Sequence, residues 1–124
     1  MKLSLWMTLK SIVCVVFGVL FVVLTQFVLD IFGMSAPESG MVMSRYFGTA
    51  FLIIGLLLWL CRDTEDEATK RAFMVSITVG DIIGLVVALV AVLGGLTNAM
   101  GWLIVALWLI FALAFGAMLA RRTT

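Results

Sequence analysis

Histidine is absent from this sequence, and cysteine, proline and charged residues are scarce. The lack of histidine removes the commonest metal ligand and the usual haem ligand, and the two cysteines, Cys14 and Cys61, do not have the CxxC spacing of a metal or redox pair. Eight basic and seven acidic residues leave a formal net charge of +1, so no strongly basic surface exists to attract nucleic acid. We therefore expect no metal, no other cofactor, no nucleic-acid partner and no enzymatic activity.

Apolar residues dominate what remains: they make up 65% of the chain, charged residues make up 12%, and the mean hydropathy is +1.28. A soluble domain has about 45–50% apolar and about 25% charged residues, so the composition indicates an integral membrane protein. Each of four apolar blocks is about 20 to 22 residues long, enough for a helix to cross a hydrocarbon core of roughly 30 Å. The predicted helices, forming one domain over 1–124, cover about 11–32, 41–61, 72–93 and 101–120. The first block exceeds the roughly 7 to 15 apolar residues of a signal peptide, so we expect it to be a helix of the mature chain.

The positions of the basic residues predict how the chain is oriented in the membrane. They cluster before the first block, between the second and third, and after the fourth, at Lys2, Lys10, Arg62, Lys70, Arg71, Arg121 and Arg122. The other two connections hold only Arg45. The positive-inside rule therefore predicts that both termini face the cytoplasm, in the plasma (inner) membrane, and the short connections favour an antiparallel four-helix bundle. Thr64 and Glu67 have the spacing of a capping box, which would start the third helix below the membrane.

Small residues recur at helical spacing on three of the blocks, where they permit close helix contact in lipid. The predicted packing residues are Gly48, Gly55, Ser76, Gly80, Gly84, Ala88, Ala112 and Gly116. This packing would lie within one bundle, between copies in a homo-oligomer, or against other membrane subunits.

Asp81 is the polar residue that topology does not explain. It lies about 15 Å along the helix from Arg71, close to the bilayer midplane, where an acid costs about 2.5–3.5 kcal/mol. It should therefore be protonated or paired, and Arg45 is the candidate partner; alternatively, Arg45 pairs with Asp30 or Glu38. We expect a polar cluster and candidate titrating site around Asp81 that draws on Arg45, Thr78, Gln26, Thr49 and Asn98.

The stretch over the second block that runs from SRYFG at 44–48 to GLLLWLCR at 55–62 contains an R-x-x-G, a second Gly and a closing Arg. This pattern resembles the second helix of small DoxX-like four-helix membrane proteins over about 18 of the 124 residues. The resemblance implies a compact four-helix membrane bundle.

Three functions are compatible with the sequence. The first is a non-catalytic accessory or structural subunit that acts through helix packing. The second is a homodimeric small-solute or proton-coupled transporter that uses Asp81 as its titrating group. The third is a lipid-binding membrane protein or enzyme, for which we expect a lateral cleft lined near Arg45 and Trp102.

Overall fold

The computed structural model describes residues 2–123, which form five helices and no strand. The helices are α1 (Leu3–Val23), α2 (Thr25–Ile31), α3 (Glu38–Cys61), α4 (Glu67–Leu93) and α5 (Gly101–Thr123). All except α2 are long and apolar enough to cross a membrane. The described part of the chain is thus all-helical, with the four candidate spans of a multi-pass membrane protein.

The first apolar block differs from its predicted bounds. A single helix was expected over 11–32, but α1 begins at Leu3 and ends at Val23, and α2 follows after a break at Leu24. Next to the break, the hydroxyl of Thr25 donates a hydrogen bond to the carbonyl oxygen of Phe21, an alternative to the regular backbone pattern of the helix. The earlier start matters most, because it places Lys10 inside α1 rather than before it.

The start of α4 also differs from the prediction. Asp66, not Thr64, is the N-cap residue, and its carboxylate accepts hydrogen bonds from the backbone N–H and the hydroxyl of Thr69. The hydroxyl bond and the backbone bond both favour the charged form, so they lower the pKa of Asp66 below its ordinary value. Glu67 pairs with Lys70 and Arg122.

Glycines allow α1 and α3 to pack closely. A Cβ atom built on Gly48 would lie 2.8 Å from the carbonyl oxygen of Gly18, and the hydroxyl of Ser11 donates a 2.8 Å hydrogen bond to the carbonyl oxygen of Gly55. The second close pair is α4 with α5. The molecule is therefore built from two helix pairs, α1 with α3 and α4 with α5.

One apolar cluster joins the two helix pairs. Every long helix contributes to its buried residues, which are Met7, Leu58, Met74, Ile77, Phe111, Phe115 and Met118. Near this cluster, Ser4 bonds to Asp63, and Glu67 pairs with Arg122. Elsewhere, Asn98 connects the 94–100 segment to the end of α2 through bonds to the carbonyl oxygens of Ile31 and Phe32.

Candidate functional site: a buried ion pair between two clefts

Lys10 and Asp81 form a buried ion pair between α1 and α4. The ammonium Nζ donates to Oδ1 of the carboxylate at 2.8 Å, and the two side chains are only 8% and 3% exposed. Moving such ions out of water costs several kcal/mol each, which only close pairing offsets. Asp81 is therefore held in the interior by a partner from another helix.

The partner is not the one expected from the sequence. Arg45 was the predicted partner of Asp81, and this prediction is wrong: Lys10 occupies that position, and Arg45 is exposed. Within residues 2–123 the structure also gives Arg45 no ion pair with Asp30 or Glu38. The reason is that hydropathy places the start of the first helix at residue 11, which assigns Lys10 to the membrane surface.

The predicted polar cluster does not assemble around Asp81. Gln26 donates to Asp30, the hydroxyl of Thr49 donates to the carbonyl oxygen of Arg45 in its own helix, and Asn98 bonds to the end of α2. The hydroxyl of Thr78 is buried without a hydrogen-bond partner among the described residues, and its methyl group faces Gly116. Exposed helix faces and connections hold most of these residues, which satisfy their polar groups locally.

Aromatic rings complete the surroundings of the ammonium group. Lys10 Nζ lies 5.4 Å from the ring centroid of Trp108 and 4.7 Å from that of Phe111, within the range of cation–π attraction. The carboxylate is less fully engaged. Within the described residues, Oδ2 of Asp81 is buried without a hydrogen-bond partner.

Two clefts border the ion pair. The first, of about 490 Å³, extends from Lys10 to Phe32, Met34 and Thr97, and we call it the Phe32 cleft. The second, of about 500 Å³, extends from Lys10 to Ala72 and Phe73, and we call it the Phe73 cleft. Residues that line both clefts form a shared wall, which comprises Lys10, Cys14, Phe47, Phe51, Gly80 and Trp108. Asp81 lines only the Phe73 cleft.

Small side chains on α4 leave room for the clefts. A Cβ atom built on Gly80 would meet no atom within 4 Å, whereas one on Gly84 would lie 2.6 Å from the Trp108 ring. Of the predicted packing residues, Ser76, Gly80, Gly84 and Ala88 line one cleft or both, while Ala112 is buried on α5. The small-residue stripe of α4 thus borders open space as well as a neighbouring helix.

Sequence reasoning missed Lys10 as a site residue. The available signal was its context: residues 3–9, LSLWMTL, are mostly apolar, so Lys10 is a lone charge with apolar chain on both sides. Such a residue inside a span marks a functional candidate with an opposite charge as its partner. Arg45 and Trp102, expected at a lateral cleft, line neither of the two clefts.

Comparison of the chain with protein-family models, with curated proteins and with solved structures found no match in any of the three. The ion pair and the clefts are therefore the features that bear on function.

Proposed function

We propose that this chain is a multi-pass membrane protein that binds a small hydrophobic molecule in its clefts, against the Lys10–Asp81 pair. The observation that supports this most strongly is that two clefts of about 490 and 500 Å³ meet at a buried ion pair. Ligand sites typically measure about 300–1,000 Å³ and combine an apolar lining with a few polar groups. The clefts have this character, since nearly all their lining residues are apolar.

The proposal favours the lipid-binding alternative over an accessory subunit that acts through helix packing. Gly48 and Gly55 are in contact with α1, and Gly84 with Trp108, so these small residues already have neighbours within the chain. Gly80, by contrast, faces open space beside the ion pair. This difference supports a site for a small molecule over a surface for another subunit.

The proposed arrangement in the membrane is an antiparallel bundle in the plasma (inner) membrane, with both termini in the cytoplasm. Two contacts support opposite directions for α1 and α3, since Ser11 meets Gly55 while Gly18 meets Gly48. Lys10 no longer counts as a surface charge. Of the other basic residues, all except Arg45 lie near the termini or the 62–66 connection, which supports this orientation.

Trp108 provides the test, because it lines both clefts. A variant that keeps only this tryptophan, with Trp6, Trp59 and Trp102 changed to phenylalanine, is reconstituted in phosphatidylcholine vesicles and titrated with 9,10-dibromostearyl alcohol, whose bromines quench tryptophan on contact. We expect saturable quenching. A second protein that keeps only Trp102, which is 50% exposed and lines neither cleft, should show only the non-saturable quenching of free partitioning.

A matched pair of substitutions on α4 locates the binding. Gly80→Leu places a side chain in the shared wall and should abolish saturable quenching, while Val79→Leu alters an exposed neighbour that lines neither cleft and should preserve it. The proposal would be contradicted if quenching of the protein that keeps only Trp108 were non-saturable. It would also be contradicted if Gly80→Leu in that protein left the quenching unchanged.

Transport is a second candidate, favoured by the positions of the two clefts. The Phe32 cleft reaches the 94–100 connection at Thr97, and the Phe73 cleft reaches Ala72 and Phe73 near the start of α4. A molecule bound at the shared wall would thus have a route towards either end of the bundle. A fluorescent NBD-labelled lipid in proteoliposomes tests this: transport predicts that dithionite added outside also destroys inner-leaflet fluorescence, and that Asp81→Asn prevents this loss.

A further inference from the structure

The proposed binding site contains an unsatisfied acceptor beside a donor, and this combination defines the head group of its ligand. We propose that the site selects an uncharged amphiphile with a hydroxyl group: the hydroxyl donates to Oδ2 of Asp81 and accepts from Nζ of Lys10. This inference rests on the proposed function, because it assumes that the clefts take up a hydrophobic molecule.

Charge balance excludes an ionic head group. The ionisable residues that line the clefts within the described chain are Lys10, Asp81 and the thiol-bearing Cys14, and the ion pair sums to zero. An anion or a cation would add an uncompensated charge to an apolar interior, which is costly. A carboxylate would also meet the free oxygen of Asp81, a second negative group. An uncharged head group avoids both penalties.

Hydrogen bonding then points to a hydroxyl. A carboxylate oxygen can only accept, so the unpartnered Oδ2 of the 2% exposed Asp81 requires a donor. An ammonium has three donors, and Lys10 uses one on Oδ1 while its Nζ lies near two aromatic rings. One hydroxyl oxygen carries both a donor and acceptor lone pairs. It therefore satisfies Asp81 and Lys10 together, whereas an ether or ester oxygen could serve only Lys10.

The apolar part of the ligand follows from the linings. Asp81 lines only the Phe73 cleft, so the hydroxyl would lie on that side of the shared wall. Phe51 and Trp108 of the wall line both clefts and provide apolar surface for the adjoining carbon skeleton. The ligand class is thus a hydrophobic alcohol dissolved in the bilayer.

Three probes that share one dibrominated C18 chain test the head group: the alcohol, its methyl ether and the carboxylic acid, the last at a pH where it is ionised. They are titrated against the protein that keeps only Trp108, with concentrations expressed as mole fractions in the bilayer. We expect the alcohol to bind about tenfold more tightly than the ether, as for one hydrogen bond gained, and more tightly than the carboxylate. Equal affinity of alcohol and ether, or tighter binding of the carboxylate, would overturn the inference.

Two variants assign the selectivity to the ion pair. The double substitution Lys10→Met with Asp81→Leu removes both polar groups without leaving a lone charge, so the alcohol and the ether should bind alike. Asp81→Asn replaces an acceptor by an amide that can present a donor. The preference for the alcohol should therefore fall, and the ether should bind more tightly. A preference that persists in either folded variant overturns the inference. Failure of all three probes to bind saturably contradicts the proposed function itself, whereas equal binding of alcohol and ether contradicts only the selectivity.

Discussion

Removal of Asp81 alone should strongly destabilise the fold. At an effective dielectric constant of about 20, unit charges 2.8 Å apart attract by about 6 kcal/mol. Desolvation of both ions opposes this attraction, and breaking one side of a buried pair typically costs about 3–5 kcal/mol. Because the Lys10 side chain is only 8% exposed, water offers it little compensation. We therefore expect Asp81→Leu to lower the free energy of unfolding by about 3–5 kcal/mol, and Lys10→Met by a similar amount.

The double variant separates pairing from packing. With both charges replaced by apolar side chains, the free energy of unfolding should return to within about 1 kcal/mol of the starting protein or exceed it. The coupling energy between the two positions would then be at least about 5 kcal/mol, because the single losses sum to about 6–10 kcal/mol.

Equilibrium unfolding by sodium dodecyl sulfate in mixed micelles, followed by circular dichroism, provides these free energies. The exposed Arg45→Met serves as the matched control and should change stability by no more than about 0.5 kcal/mol. Single effects below about 1 kcal/mol, or effects that simply add in the double variant, would refute the buried pair.

Three further predictions concern the helix contacts and helix ends. Gly48→Ala should destabilise by about 1–3 kcal/mol, because its Cβ would lie 2.8 Å from a carbonyl oxygen of α1, whereas Gly80→Ala should be neutral or stabilise by up to about 1 kcal/mol; thermal unfolding in detergent measures both. Asn98→Ala should cost about 1 kcal/mol per hydrogen bond lost in the same assay, and the accompanying exposure of the 94–100 connection should speed its proteolysis. Because the pKa of Asp66 is lowered in the folded protein, its contribution to stability is complete above the pKa of the unfolded chain and is lost as the pH falls through the lower folded value. Hydrogen exchange at the Thr69 amide, corrected for its intrinsic rate, should therefore accelerate over that acidic range. Asp66→Asn, which has no carboxyl group to titrate, should not show this acceleration.

The long apolar helices were predictable because a membrane span needs about 20 apolar residues, and the composition of this chain satisfies that requirement four times. The ends of the helices were less predictable where a charged residue lies near them. Hydropathy predicts that Lys10 flanks the membrane, although Asp81 neutralises it within the bundle, and only the three-dimensional contact between α1 and α4 reveals this. Sequence hydropathy treats every charge as unpaired, so it places the start of such a helix too late.

Of the two residues of the buried ion pair, only Asp81 was predictable from the sequence. The position of Asp81 in an apolar helix identified it as a residue that needs a partner, but the partner depended on which helices pack together. The sequence favours Arg45 because it shares the glycine-bearing face of α3, yet that face packs on α1 through Gly48 and Gly55. The clefts were less accessible to prediction, since Gly80 and Gly84 have the same spacing whether they touch a neighbour or border open space.

The most direct test of the central claim is to identify what the protein carries when it is purified from a membrane in mild detergent. Native mass spectrometry, followed by solvent extraction and mass analysis of the released compound, should detect a hydrophobic, uncharged, hydroxyl-bearing molecule bound to the starting protein and to Val79→Leu. Gly80→Leu, which fills the space beside the Lys10–Asp81 pair, should lack it. Retention of the same molecule by folded Gly80→Leu, or its absence from the starting protein and from Val79→Leu alike, would contradict the claim that the two clefts form a ligand site.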